Sequence, residues 1–384
     1  MKNDWTARYN YNFPTLVRFG KGVIDELGPH LKEQGLKKVL IVSDAGLTKL
    51  PVFNQVVELI KNAGLTVTVF SDIAKNPVKS NVLSGVDAFK KNNCDSIVGF
   101  GGGASMDVAR AIALKAYHPL DLFEYDDAIG GDRHVTGEVP YFVTVPTTSG
   151  TGSEVGRSTV IADDITHEKK ILFSPKLMAK KVFADPELSM GLPAFVTAAT
   201  GMDALTHNIE AYLAKGFSPL CDGVALEGIR LIAESLERAT NNPDLESRSK
   251  MMMGALMGAT AFQKGLGVVH SLAHPLSTLV DMHHGLANAV MLPYGMEFNK
   301  SVSAPRMSTM AQIVGLKEQS PEAFIKWIIE LNKKVNIPNK LSELKVNQSH
   351  LEKLSDLAFL DPCWACNERP VTKKDFLDIY TKAL

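Results

Sequence analysis

The first half of the chain alternates between β-branched runs and helical stretches, and this alternation constrains the fold more than any other feature. "KVLIVSDAG" is a β-branched run that ends in turn residues. "PVFNQVVELIKNAG" has helical spacing and stops at Gly64, "LTVTVF" is strand-like, and "SNVLSGVDAFKKNN" is helical again. "SIVGF", "SMDVARAIALKA" and "YFVTV" continue the pattern as strand, helix and strand. Such alternation predicts a mostly parallel, Rossmann-like sheet with helices on both faces. After "VFADPELSMGLP" the character changes, and long helical patterns dominate from about Phe195 onward. The boundary is placed near Pro186, giving an α/β domain over 1–186 and an all-helical domain over 187–384.

Composition excludes several function classes. The formal net charge is -1, with no long run of one sign, so neither nucleic acid nor an anionic membrane is an expected partner. The amino terminus, "MKNDWTARYNYNF", lacks the apolar core of a signal peptide. No apolar run reaches the roughly 18 residues a membrane span needs. Four cysteines are too few for a disulfide framework in a chain of 384 residues. The expectation is a soluble cytoplasmic protein. "CWAC" (Cys363 to Cys366) has no partner CxxC and no strand-to-helix setting, and is treated as a decoy. The Met-rich "MMMGALMG" is read as plastic core packing.

Two stretches carry cofactor chemistry. "SIVGFGGGASMDVARA" is a buried strand, a glycine-rich turn and a helix, which suits a pyrophosphate at the helix N-terminus. The fingerprint is loose, because small residues at strand–helix turns are common. Its confirming acid is due ~20 residues downstream. Asp121 falls roughly there but in a loop-like stretch, and Asp44, at the carboxyl end of a predicted strand, is the better candidate. An acid there can bond a ribose 2′-OH and repel a 2′-phosphate; it can equally be a turn residue. "VPTTSGTGSEV" follows another strand and offers hydroxyls and glycines to a phosphate or nicotinamide, although a plain Ser/Thr loop has the same composition.

The metal chemistry centres on histidines. "GMDALTHNIEAY" puts Asp203 and His207 four apart on a helix, where both can reach one ion, although an ordinary acid and a core histidine give the same spacing. "VHSLAHPLSTLVDMHHG" holds His270, His274, His283 and His284. An apolar helix that keeps several histidines needs an explanation, because buried polar groups need partners. One carboxylate with two or three imidazoles suits Fe(II) or Zn(II). Spacing alone selects Asp203, His207, His270 and His274, two helices each offering an i,i+4 pair.

From "FPTLVRFGKGVIDELG" to "NERPVTKKDFLDIYTKAL" the chain resembles the iron-dependent (group III) alcohol dehydrogenases. The motifs that carry the resemblance are "GGGASMD", "TTSGTGSE", "ADPEL", "GMDALTHNIEAY" and "GVVHSLAHPLSTLVDMHHGLANAVMLP". The resemblance implies an N-terminal dinucleotide-binding domain, a C-terminal helical domain, and a metal that meets the nicotinamide of NAD in the cleft between them. It implies Asp203, His207, His270 and His284 as ligands, with His274 unligated near the nicotinamide. Members often have Pro where this chain has His283; the register of Gly285 and the fourteen-residue step from His270 favour His284 over His283. On the cofactor side it implies Asp44 as the acid that rejects NADP. It also implies Gly101, Gly102, Gly103, Ala104 and Ser105 as the pyrophosphate loop, with Ala104 replacing a common Ser. Thr147, Thr148, Lys169 and Asn76 are implied as further cofactor contacts.

The implied reaction is reversible oxidation of an alcohol to its aldehyde by hydride transfer to NAD. The metal acts as a Lewis acid, and His274 is suited to relay the proton. Short primary alcohols and diols are the expected substrates, and a homodimer or larger homo-oligomer the expected assembly. Two alternatives have other signatures: a zinc-dependent glycerol dehydrogenase or dehydroquinate-synthase-like enzyme uses a different ligand set, and a non-catalytic metal-binding protein would lack the dinucleotide features.

Overall fold

The computed structural model describes residues 15–74 and 76–384. The amino-terminal stretch read above for a signal peptide lies outside them. The chain forms two compact units, one of residues 15–148 with Gly152–Gly191, the other of Ser149–Thr151 with Leu192–Leu384.

The first unit contains a six-stranded sheet and a separate two-stranded ribbon. The strands are β1 (Leu16–Phe19), β2 (Lys38–Val42), β3 (Thr66–Phe70), β4 (Ser96–Gly101), β5 (Tyr141–Pro146), β6 (Ser158–Ala162), β7 (Lys169–Phe173) and β8 (Lys181–Ala184). The sheet order is β1-β8-β5-β4-β2-β3, with every pairing parallel, while β6 and β7 pair antiparallel. Alternate residues of one run serve opposite faces. Leu40 and Val42 join one apolar core, Val39 and Ile41 the other. This two-sided burial is why "VLIV" is continuously apolar rather than alternating. The strands and helices expected from 38 to 145 are all present. The sequence reading passed over β1, β8 and the ribbon. β1 and β8 are four residues each, and β1 alternates between exposed and half-buried positions, so neither offers a sustained pattern.

The second unit is helical; among the described residues no strand follows Ala184. Its central helix, Ala194–Leu213, is buried at every position from Thr197 to Leu213. Helices Pro219–Asn241, Leu245–Ala261, Val268–Val280 and His284–Ile313 contribute to a single large apolar core with it. Met251 and Met252 lie in the interior. No described helix is long and apolar enough to cross a membrane.

One buried cation ties the first unit together. Arg110, on helix Gly103–Tyr117, is fully buried. Its guanidinium donates to Leu177 O at 3.2 Å, Asp107 Oδ1 at 3.2 Å, Ser153 Oγ at 2.9 Å, Ser158 O at 2.8 Å, and also to Ser153 O. Asp107 in turn accepts from Ser153 Oγ at 2.7 Å and from the Val160 N–H at 3.3 Å. Helix, ribbon and the 153–155 turn are thus held by one charge pair. Replacing Arg110 with Met strands the Asp107 carboxylate and several carbonyls. The expected loss is about 3–5 kcal/mol of stability, the scale for breaking a buried ion pair, read by urea denaturation.

Candidate active site

The glycine turn of the first unit is shaped by close approach. Gly101 ends β4 with φ +145°, and a Cβ there would sit 2.6 Å from Ser105 Oγ. Only glycine suits that backbone and that gap. The Thr147 N–H donates to Gly101 O at 3.0 Å, extending the β4–β5 pairing one step beyond Pro146. Helix Gly103–Tyr117 starts after Gly102 with no side-chain cap, so its first N–H groups are available to an anion. The Thr148 side chain closes over the turn, its Cγ2 3.3 Å from the place of a Cβ on Gly102.

Asp44 serves the turn and faces the loop. Its Oδ1 accepts the Gly46 and Leu47 N–H groups, both at 2.9 Å, and its Oδ2 lies 3.6 Å from the Cβ position on Gly101. The turn therefore uses one oxygen and leaves the other facing the glycine loop. Asp44, Gly101 to Ser105, Thr147 and Thr148 come together. At the ribbon, the carbonyl of Pro77, next to Asn76, accepts the Ala162 N–H at 2.8 Å, and Ala162 pairs with Lys169 across the strands. Asp121 caps the short helix Leu122–Tyr125 and pairs with Lys79 at 2.6 Å, a structural role.

In the second unit, donor atoms of Asp203, His270 and His284 lie within 4.8 Å of one another. His284 Nε2 is 3.5 Å and His270 Nε2 3.9 Å from Asp203 Oδ1. Four donors around an ion at about 2.1 Å stand roughly 3.4 Å apart, so these three are close to metal spacing. His207 stands beside them, its Nδ1 4.0 Å from Asp203 Oδ1 and its ring stacked on that of His270 at 4.6 Å. Burial pushes its pKa down to about 4, and its Nδ1 is buried without a hydrogen-bond partner. A carboxylate, three imidazoles and an orphaned ring nitrogen fit a transition metal. Gly285 permits the convergence: a Cβ there would lie 2.2 Å from Ala199 O, so a side chain would push His284 away from the Asp203 helix.

His274, which spacing alone grouped with Asp203, His207 and His270, is not among the three converging residues. Its ring stacks on His284 at 5.2 Å, and its Nδ1 bonds Asp361 Oδ2 at 2.6 Å. Asp361 also accepts from Ser271 Oγ at 2.6 Å and the Cys363 N–H at 2.9 Å. Burial alone would raise the Asp361 carboxyl; His274 and these donors outweigh it and hold the group well below the usual carboxylate range. Burial pushes the Cys363 thiol well up, which leaves it protonated rather than redox-poised. His283 meets the Phe195 ring edge-on at 6.2 Å.

The sequence reading missed three participants. Glu210 accepts the His270 Nδ1–H at 2.6 Å and the Val269 N–H at 2.6 Å. Its signal was available, since it lies three residues after His207 and seven after Asp203, on the same helical face. Asn288, four residues after His284, had the same signal. Asp361 had none, being distant in sequence and in a segment without periodicity.

Comparison with known proteins identifies the family of the chain. A model of "Iron-containing alcohol dehydrogenase" matches residues 14–186, and one of "Fe-containing alcohol dehydrogenase family, C-terminal" matches residues 197–384. The chain belongs to the iron-containing alcohol dehydrogenase family. It is 36% identical to the NAD-dependent methanol dehydrogenase of Bacillus methanolicus, over 98% of this chain and 100% of that one. It is 34% identical to the 1,3-propanediol dehydrogenase of Citrobacter freundii, over 98% of each. A crystal structure of a 1,3-propanediol oxidoreductase superposes with a TM-score of 0.94 at 33% identity, covering 98% of this chain and 100% of that one. As a member of the family, the protein is an oxidoreductase, an alcohol dehydrogenase.

In this dehydrogenase Glu154, within "TTSGTGSEV", is fully buried and its Oε1 lacks a hydrogen-bond partner. Burial outweighs the attraction of Arg110 and raises its pKa to about 7 from 4.5. The folded protein therefore binds this proton more tightly than the unfolded chain does. The stabilisation is present at low pH and is lost as pH rises from 4.5 to about 7. Glu154→Gln should flatten the stability profile across that window, measured by denaturation at a series of pH values.

Proposed function

We propose that this alcohol dehydrogenase is NAD-linked and interconverts a short primary alcohol or diol and its aldehyde. In this reading Asp203, His207, His270 and His284 hold one divalent ion, Fe(II), with Zn(II) accepted by the same donors. The observation that carries it is the convergence of Asp203, His270 and His284 in a chain of this family. Relatives named for methanol and 1,3-propanediol support a small alcohol. When bound, the metal supplies Lewis acidity to the substrate oxygen and the nicotinamide accepts the hydride.

The chain's own residues do the rest. Glu210 takes the Nδ1 proton of His270, which fixes the tautomer and turns the Nε2 lone pair toward the donor set. Asp361 likewise keeps the proton of His274 on Nδ1, leaving Nε2 to accept and pass on the proton of the alcohol. His274 is 28% exposed, against 1% for His270, so it is the histidine of the pair with access to solvent. On the cofactor side, backbone N–H groups from Gly101 to Ser105 receive the pyrophosphate. Thr147, Thr148, Asn76 and Lys169 add contacts, and Asp44 favours a free ribose 2′-OH over a 2′-phosphate. The same reading extends to a homo-oligomer in the cytoplasm; the exposed Leu16 on the edge strand β1 supports the assembly.

Metal analysis of anaerobically purified variants, paired with an NADH-linked aldehyde assay, tests the ligand set. His284→Ala should lose metal and turnover, His274→Ala should keep metal and turn over slowly, and His283→Ala should match the parent. Metal loss in His274→Ala but not in His284→Ala would reverse the assignment. A second prediction concerns the cofactor. Asp44→Ser should raise the NADPH-to-NADH ratio of kcat/KM by roughly tenfold or more, as removing one close charge relieves on the order of 1–4 kcal/mol of repulsion. An unchanged ratio would remove Asp44 from the cofactor site.

A further inference from the structure

Three helices meet at the donor cluster, and each contributes polar side chains four residues apart: Asp203 with His207, His270 with His274, and His284 with Asn288. The last residue has no role in the mechanism above. Asn288 is fully buried. Its amide nitrogen donates to Asp203 Oδ1 at 2.7 Å and lies 3.1 Å from His284 Nε2 and 3.2 Å from His270 Nε2. Those are the same three residues whose donor atoms converge. The other end of the carboxamide, Oδ1, is buried with no hydrogen-bond partner.

This arrangement is what a cation site looks like when a neutral group serves it. The His270 Nδ1–H is committed to the Glu210 carboxylate, so Nε2 presents a lone pair to the cluster. The Asn288 amino group offers two hydrogens to three acceptors and so presents partial positive charge where they converge. An ion held by those atoms at about 2.0–2.2 Å would take the same lone pairs. The N–H groups would then have no acceptors and would point at a positive charge. The carboxamide oxygen carries the opposite partial charge and gives up no hydrogen bond by moving. A rotation about the last side-chain torsion exchanges the two ends.

We propose that Asn288 is the fifth metal-directed residue of this site. Its amino end holds the donor set together in the metal-free chain, and its oxygen turns to the ion when the site is loaded. The inference rests on the metal reading above. It predicts a carbonyl oxygen beside the imidazoles and carboxylate, a donor type that hard and borderline divalent ions accept.

Cobalt(II) added to the metal-free full-length protein is the probe, because its visible absorption reports coordination number without any turnover. Asn288→Ala should bind Co(II) about 10–100-fold more weakly, the scale of lost supporting contacts at metal sites, with absorption shifted toward the intense four-coordinate form. Asn288→Asp, which keeps an oxygen at the position, should restore both affinity and the parent spectrum. Far-UV circular dichroism of both variants checks that they fold. Parent-like affinity and spectrum in Asn288→Ala would overturn the proposal while leaving the metal reading intact. Co(II) binding that survives Asp203→Ala with His284→Ala would overturn both, as would a parent protein that binds no Co(II).

Discussion

The carboxylate of Glu210 is the contact on which the helical unit's chemistry depends. It sits on helix Ala194–Leu213 with Asp203 and His207, and reaches the N-terminus of helix Val268–Val280. There it accepts the Val269 N–H at 2.6 Å, the His270 N–H at 3.3 Å and the His270 ring at 2.6 Å. One negative charge thus satisfies orphan donors at a helix start, complements the helix dipole and sets a histidine tautomer. Gly267 is part of the same fit, since a Cβ there would lie 2.8 Å from Glu210 Oε1 and 2.9 Å from Asn367 Oδ1. Asn367 takes the Val268 N–H at 3.3 Å and exchanges bonds with Asn299 at 2.8 and 2.9 Å. The start of the His270 helix is therefore held by the Asp203 helix on one side, and on the other by the C-terminal segment and helix His284–Ile313.

The α/β unit solves a similar problem with the opposite charge. Arg110 is buried where helix Gly103–Tyr117, the ribbon and the Ser153 end of the "TTSGTGSEV" segment come together, and its donors find carbonyls, Ser153 Oγ or Asp107. A buried ion pair gives little net stability by itself. What it gives here is position: Ser153 is held twice, so the end of the loop that begins at Thr147 cannot drift from helix Gly103–Tyr117. In both units, buried charged groups fix the backbone from which the proposed cofactor and metal residues project.

The long helices were legible because their patterns repeat over several turns, and the strands between them because they are continuously apolar and alternate with those helices. Runs such as "KVLIV" and "SIVGF" are apolar on both faces, and only a covered parallel sheet needs that. β1 and β8 were not legible, because four residues cannot establish a period. Within the candidate site, spacing selected Asp203, His207, His270 and His274, whereas the resemblance implied His284 in place of His274. The fourteen-residue step from His270 to His284 crosses a helix end, and helical periodicity says nothing across a break. Only the resemblance supplied His284 in advance. Glu210 and Asn288 lay at helical spacing from residues already singled out. They were passed over because a single acid or amide on an apolar helix has no distinctive composition. Asp361 is joined to His274 solely by folding.

The proposed separation of His270 from His274, an i,i+4 pair, has a geometric basis. Residues four apart share a face but are displaced by about 6 Å along the helix axis, and the His270 and His274 rings are 6.0 Å apart. Where a helix runs from a buried end toward solvent, such a pair spans a gradient of depth instead of surrounding one point. His270, against Glu210, lies at the buried end; His274, against Asp361, lies at the open end. Each has a carboxylate on Nδ1 and an Nε2 left over, so local bonding does not distinguish them. Position does: the buried Nε2 of His270 lies 3.9 Å from Asp203 Oδ1, whereas His274 is outside the Asp203, His270 and His284 donor set. The step from His270 to His274 thus carries the chain from the proposed ion site to the proposed proton relay.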